Sequence, residues 1–176
     1  IGMANERPFV YVAAFGAFVE TAYETSREMK LALGHLAYLI EGIKSLPTIE
    51  PIPARISWND QVLEDEFIFG AFINSHSVGG ILEFDEDIVD LSDGKFELLL
   101  IRRAHSQFEY AGVASQILKQ AYEHDLLVFE HTDKVLMEFQ QPINFTIDGE
   151  AGGTSKVWEL SVKKEELCLR IPPLMF

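Results

Sequence analysis

Cysteine is almost absent from this sequence, positive charge is scarce, and no apolar run is long. The single cysteine, Cys168, cannot close a disulfide within the chain or build a thiolate metal cluster. Such usage suits a reducing compartment. Lys and Arg number 14 against 28 Asp and Glu, a formal net charge of −14. That argues against an electrostatic grip on nucleic acid, which depends on cationic contacts to phosphates, and against a basic patch on an anionic bilayer. The longest apolar run, Phe9–Val19, is far short of the roughly 20 residues a membrane span needs. No basic segment precedes it, so it does not read as a signal peptide. A buried strand is the better reading.

What is present points to a β-rich core. Apolar residues make up 48% of the 176, and 13 Phe and 5 Tyr favour pleated, half-buried surfaces. The length fits one domain, residues 1–176, with no repeat or linker-like tract. "RPFVYVAAFG" reads as a first strand ending at Gly16. "TSREMKLALGHLAYLIEGIKSLP" reads as a helical arm, capped by Thr25 or Ser26 and breakable at Gly34, with Pro47 beyond its end. From residue 51 the period moves towards 2. Ala54, Ile56 and Trp58 share one side, as do Phe67, Phe69, Ala71 and Ile73, with Ile68 and Phe72 opposite. Apolar residues on both sides predict a central strand, and "KFELLLIRR" reads alike. A helix is expected over 106–125, with Val113, Ile117, Leu118 and Tyr122 on one face. "LLVFEHT", "KVLMEFQ", "INFTID", "KVWELSV" and "LCLRIP" read as further strands. The expected fold is α+β and mainly β: an antiparallel β-sandwich with a helical arm near the N-terminus and one further helix.

Three stretches could carry chemistry, and each has a plainer alternative. In "FTIDGEAGG", Asp148 and Glu150 would project to one side of an extended chain, towards one hydroxyl or one metal ion. Like charges so placed tend to raise one pKa towards a general base's range. The alternative is an Asp-Gly hairpin turn, which local pattern favours. "EFDEDIVDLSDGKF" holds six carboxylates. An EF-hand frame begun at Asp85 continues with Asp87 but fails at Val89 and Asp90. A looser oxygen site for magnesium or calcium stays open beside a solvated acidic loop. "NSHSVGG" has glycines that allow close backbone approach, but lacks the spacing and lysine of a nucleotide loop, so a turn is the simpler reading. Finally, His35, His76, His105, His124 and His131 show no ligand spacing, and Cys168 sits in a strand-like pattern that suits packing.

Taken in order, "FVYVAAFGAF", "KLALGHLAYLIEGIKSL", "FINSHSVGG", "LSDGKFELLLIR" and "FTIDGEAGG" resemble the C-terminal domain of the bacterial diacylglycerol kinase-like lipid kinases. "LGHLAYLIEGIKSL" and "INFTIDGE" are the most specific pieces. The resemblance implies a two-domain kinase. Its N-terminal α/β domain carries a G-G-D-G-T nucleotide motif, its second domain is a β-sandwich, and lipid enters the cleft between them. Neither G-G-D-G-T nor G-T-x-N-D occurs here, so the nucleotide domain is taken to be absent and the isolated chain inactive.

The family's "DGE" catalytic triplet falls on Asp148 and Glu150, with Glu150 the expected proton acceptor. The family's structural magnesium site falls on Asp93 with backbone oxygens of Asp90 and Lys95. The implied activity is ATP-dependent phosphorylation of a lipid hydroxyl such as that of diacylglycerol. Mg2+ and ATP are the implied cofactors, the ATP held mostly by the absent domain. The implied partners are the lipid, the N-terminal nucleotide-binding domain and a peripheral contact at the cytoplasmic face of the inner membrane, with no nucleic acid. The uncovered interdomain face is expected to drive self-association as a homodimer. The competing reading is a non-catalytic β-sandwich module that binds lipid or protein.

Overall fold

The computed structural model describes residues 1–17, 49–78, 82–85 and 88–164. The expected helical arm, with His35, and the expected strand around Cys168 lie outside the described residues, as do Gly79, Gly80 and Asp87. In chain order the elements are β1 (Gly2–Ala4), β2 (Arg7–Phe9), β3 (Val12–Gly16), β4 (Ile52–Trp58), β5 (Gln61–Ile73), β6 (Ser77–Val78), β7 (Leu82–Glu83), β8 (Phe96–Arg102), α1 (Gln107–Leu118), β9 (Leu127–Thr132), β10 (Lys134–Ile147) and β11 (Glu150–Val162). The fold is α+β and mainly β, as expected.

Nine strands form one antiparallel sheet in the order β2-β1-β11-β10-β3-β5-β8-β9, while β4 pairs with both β10 and β5. β3 and β4 therefore occupy one rank between β5 and β10. β5 meets β4 over Gln61–Phe67 and β3 over Phe69–Ile73. β10 meets β4 over Val135–Phe139 and β3 over Phe145–Ile147. The pair behaves as one strand interrupted after Gly16. That glycine has φ +85, and a Cβ there would lie 2.3 Å from the Ile68 carbonyl oxygen, so only glycine fits.

The sheet folds over until its distant strands touch. Phe9 of β2 lies edge-on to Phe96 of β8 at 5.4 Å and to Phe72 of β5 at 6.3 Å. This closes a first core of Ala13, Phe15, Ile56, Phe145, Met137, Trp158 and their neighbours. A second core lies on the other face of β3, β5 and β8. It comprises Val12, Ile68, Phe69, Ile73, Leu99 and Ile101 under Tyr110 and Val113 of α1 and Phe84 and Val89 of the connecting segments. β5 and β8 are thus buried on both faces, which explains their unbroken apolar runs.

Four details differ from the sequence reading. First, Phe67 belongs to the first core while Phe69, Ala71 and Ile73 belong to the second. Arg102 and Ile101 face Phe67 and Phe69, so Ile68 is the extra residue of a bulge, and it reverses the alternation. Second, the first strand is split at Val10 and Tyr11, and a short strand β1 precedes it. Third, the segments read as strands 134–140 and 143–148 form one element, β10, irregular around Pro142. Fourth, α1 ends at Leu118, where Gln120 at φ +54 turns the chain. Leu118 is accordingly exposed, while Tyr122 packs beyond the helix, its ring 3.9 Å from that of Phe129.

Candidate active site

The "DG" of "FTIDGEAGG" is a hairpin turn. Ile147 pairs with Glu150, and Asp148 and Gly149 take φ values of +51 and +83. Two successive left-handed residues make the primed turn that matches strand twist, and Asp-Gly suits it best. The segment is therefore not extended at Asp148, so the two carboxylates do not share a side by strand alternation. Asp148 turns towards the N-terminal strands instead. Its Oδ2 accepts from the Val10 amide at 3.0 Å, and its Oδ1 accepts from Tyr11 at 2.9 Å and Val12 at 3.0 Å. The Asp148 amide in turn donates to the Val12 carbonyl at 2.8 Å. The split in the first strand is thereby explained: the amides of residues 10–12 converge on one carboxylate. This clamp fixes the hairpin tip against the β2–β3 corner and leaves Glu150 exposed as the first residue of β11.

Arg7 extends over the same tip. Its Nη1 donates to the Ala151 carbonyl at 3.1 Å, beside Gly153 at φ +99. Neither Arg7 nor the amide clamp was visible in local sequence, because both depend on contacts across more than 130 residues.

The acidic loop lies elsewhere, between β7 and β8. Asp90 folds back to accept from the Ser92 amide at 2.8 Å and the Ser92 hydroxyl at 2.6 Å. These bonds hold its carboxyl below the usual range. Asp93 accepts from the Lys95 amide at 2.7 Å through Oδ1, and Gly94 turns the chain at φ +74. Lys164 Nζ stands 3.5 Å from the Asp93 carbonyl. Asp93 retains a second carboxylate oxygen, and the neighbouring carbonyls are hard donors. That set suits magnesium or calcium in kind. Among the described residues, no three His, Cys, Asp or Glu side chains converge as metal ligands. In "NSHSVGG", His76 Nε2 bonds the Val89 carbonyl at 2.8 Å, and Ser77–Val78 begins a two-stranded ribbon with β7. His76 thereby serves loop architecture.

One residue of this region escaped the sequence reading. Glu97 follows the loop on β8 and is 1% exposed, yet its Oε2 has no hydrogen-bond partner among the described residues. Desolvation pushes its carboxyl up to about 8, with the charges of Asp93 and Asp90 adding to the rise. The signal was a single carboxylate inside the apolar run "FELLLIR".

Among the described residues, no helix is long and apolar enough to cross a membrane. No family model matches the chain. It is 27% identical over 154 residues to a diacylglycerol kinase of Bacillus subtilis (strain 168), covering 87% of this chain and 50% of that protein. It is 28% identical over 165 residues to a diacylglycerol kinase of Staphylococcus carnosus (strain TM300), covering 93% and 53%. A crystal structure of a diacylglycerol kinase from Bacillus anthracis str. Sterne superposes with a TM-score of 0.62 at 17% identity, over 93% of this chain and 49% of that one. The chain thus spans about half the length of the curated relatives it matches, and over that half it is similar to bacterial diacylglycerol kinases.

Proposed function

We propose that this chain is the lipid-side half of an ATP-dependent kinase that phosphorylates a lipid hydroxyl such as that of diacylglycerol. The observation that carries the proposal is the clamped turn. Three amides hold Asp148, and the turn so fixed presents Glu150, exposed, at the head of β11. Phosphoryl transfer asks little covalent chemistry of a protein and much positioning. Glu150 would accept the proton of the lipid hydroxyl as its oxygen bonds to the terminal phosphorus of ATP, with the bridging P–O bond breaking and ADP leaving. Asp148 holds the turn from which Glu150 acts. Bound Mg2+ and ATP, held mainly by a companion nucleotide-binding domain, supply the phosphoryl group and neutralise its charge. A second cation would be held by Asp93 with the carbonyls of Asp90 and Lys95, stiffening the loop that leads into β8. Lipid access implies peripheral contact with the cytoplasmic face of the inner membrane. The face that meets the companion domain is expected to self-associate as a homodimer when uncovered.

The test is transfer of labelled phosphate from ATP to mixed-lipid micelles by this chain joined to its companion domain. Glu150→Gln should lower turnover about 10²–10⁴-fold, the usual worth of general base catalysis, with an unchanged melting temperature. Wild-type protein that folds and binds ATP, yet transfers nothing to any lipid tried, would make the chain a binding module.

A further inference from the structure

We propose that Glu97 is a further member of the cation site in the 90–95 loop, offering Oε2 to the bound cation or to a water of its shell. The inference rests on the reading of that loop as a magnesium site and extends it to a residue outside the Asp93 motif. Glu97 occupies a core position of β8, between Ile73 of β5 and His131 of β9 in the sheet. Its side chain shares a face with Leu99 and Ile101, which pack in the second core with Val89 of the loop. A leucine or valine would satisfy packing there. A buried carboxylate with an orphaned oxygen is expensive, and it persists where something is meant to meet it.

The neighbours say what that something is. His131 Nε2 lies 3.9 Å from Glu97 Oε1, too far to bond, and is engaged 2.8 Å from the Ile88 carbonyl. This contact places the Glu97 carboxylate against the base of the loop. Asp90 and Asp93 are the other charges it feels, both of its own sign. A hard divalent ion would favour the charged form of the Glu97 carboxyl, which burial and the Asp90 and Asp93 carboxylates disfavour. Asp93 meets the ion from the loop and Glu97 meets it from the sheet, which ties β8 to the site.

The proposal is tested on this chain by calorimetric titration with MgCl2, and with CaCl2 for comparison. Wild type should bind one magnesium, Asp93→Asn should abolish binding, and Glu97→Gln should weaken it about 10–100-fold, the usual cost of losing an outer partner. Glu97→Gln should melt no lower than wild type in EDTA, because an amide fills the same space and cannot ionise. Should that variant fail to fold, carbonyl-13C glutamate labelling of wild type gives the same answer, since one buried carboxyl resonance should shift with magnesium. Binding lost in Asp93→Asn but unchanged in Glu97→Gln, or a stationary glutamate resonance, overturns the role of Glu97 and leaves the loop site standing. No binding by wild type overturns both.

Discussion

Three backbone amides converge on the carboxylate of Asp148, and no other residue type supplies two acceptor oxygens at that length. Removing them leaves three donors unpaired, two at an exposed corner and that of Val12 part-buried. Asp148→Ala should therefore destabilise the chain by about 1–2 kcal/mol in urea unfolding, comparable to losing a strong cap. Asp148→Asn keeps one acceptor and should lose less. A wild-type unfolding curve for Asp148→Ala would remove the clamp from this account. Glu97 makes a different prediction. Its carboxyl titrates near 8 when folded, far above an ordinary glutamate. Between pH about 4.5 and 8 the native chain holds a proton that the unfolded chain has released, so stability falls as pH rises through that window. In EDTA, melting temperatures should decline from pH 5 to 8 in wild type, and that decline should be shallower in Glu97→Gln. Parallel profiles would show that Glu97 ionises normally.

At the scale of elements, the helix and the hairpin illustrate what local pattern can carry. Ser106 Oγ accepts from the Glu109 amide at 3.3 Å, and Glu109 Oε2 accepts from the amides of Ser106 at 2.9 Å and His105 at 2.7 Å. The spacing of this capping box sits in the sequence, so the start of α1 was legible. Its end was not, because Tyr122 keeps the apolar period after the chain has turned at Gln120. The Asp-Gly turn was legible too, but its clamp was not, since the amides lie at the other end of the chain. The phase of β5 failed at Ile68 for a related reason: a bulge is decided by the partner strand, here β8. Ser106→Ala should cost about 1 kcal/mol and raise amide exchange in the first turn of α1. Because Tyr110, Val113 and Ile117 of α1 pack in the second core, exchange in β10 and β11 should not change, which hydrogen-exchange mass spectrometry would read directly.

At the scale of the molecule, stability depends on contact between strands that are not sheet neighbours. β2 stands at one end of the strand order and β8 next to the other, and backbone hydrogen bonds do not join them. Side chains do. Phe9 is 1% exposed against Phe72 and Phe96, and Gly2 is small enough to admit its ring, since a Cβ there would lie 2.2 Å from it. The same β2–β3 corner carries the amides that hold Asp148, so the aromatic clasp and the turn bearing Glu150 share one anchor. Phe9→Ala should cost about 3–5 kcal/mol, the range for emptying a buried aromatic site. Phe9→Leu, which refills most of the space, should cost less. Because the anchor is shared, Phe9→Ala and Asp148→Ala should be non-additive: a double-mutant cycle should return a coupling of about 0.5 kcal/mol or more. Strict additivity would mean that the fold-over of the sheet and the placement of the turn are independent, and Glu150 would then owe its position to β10 and β11 alone.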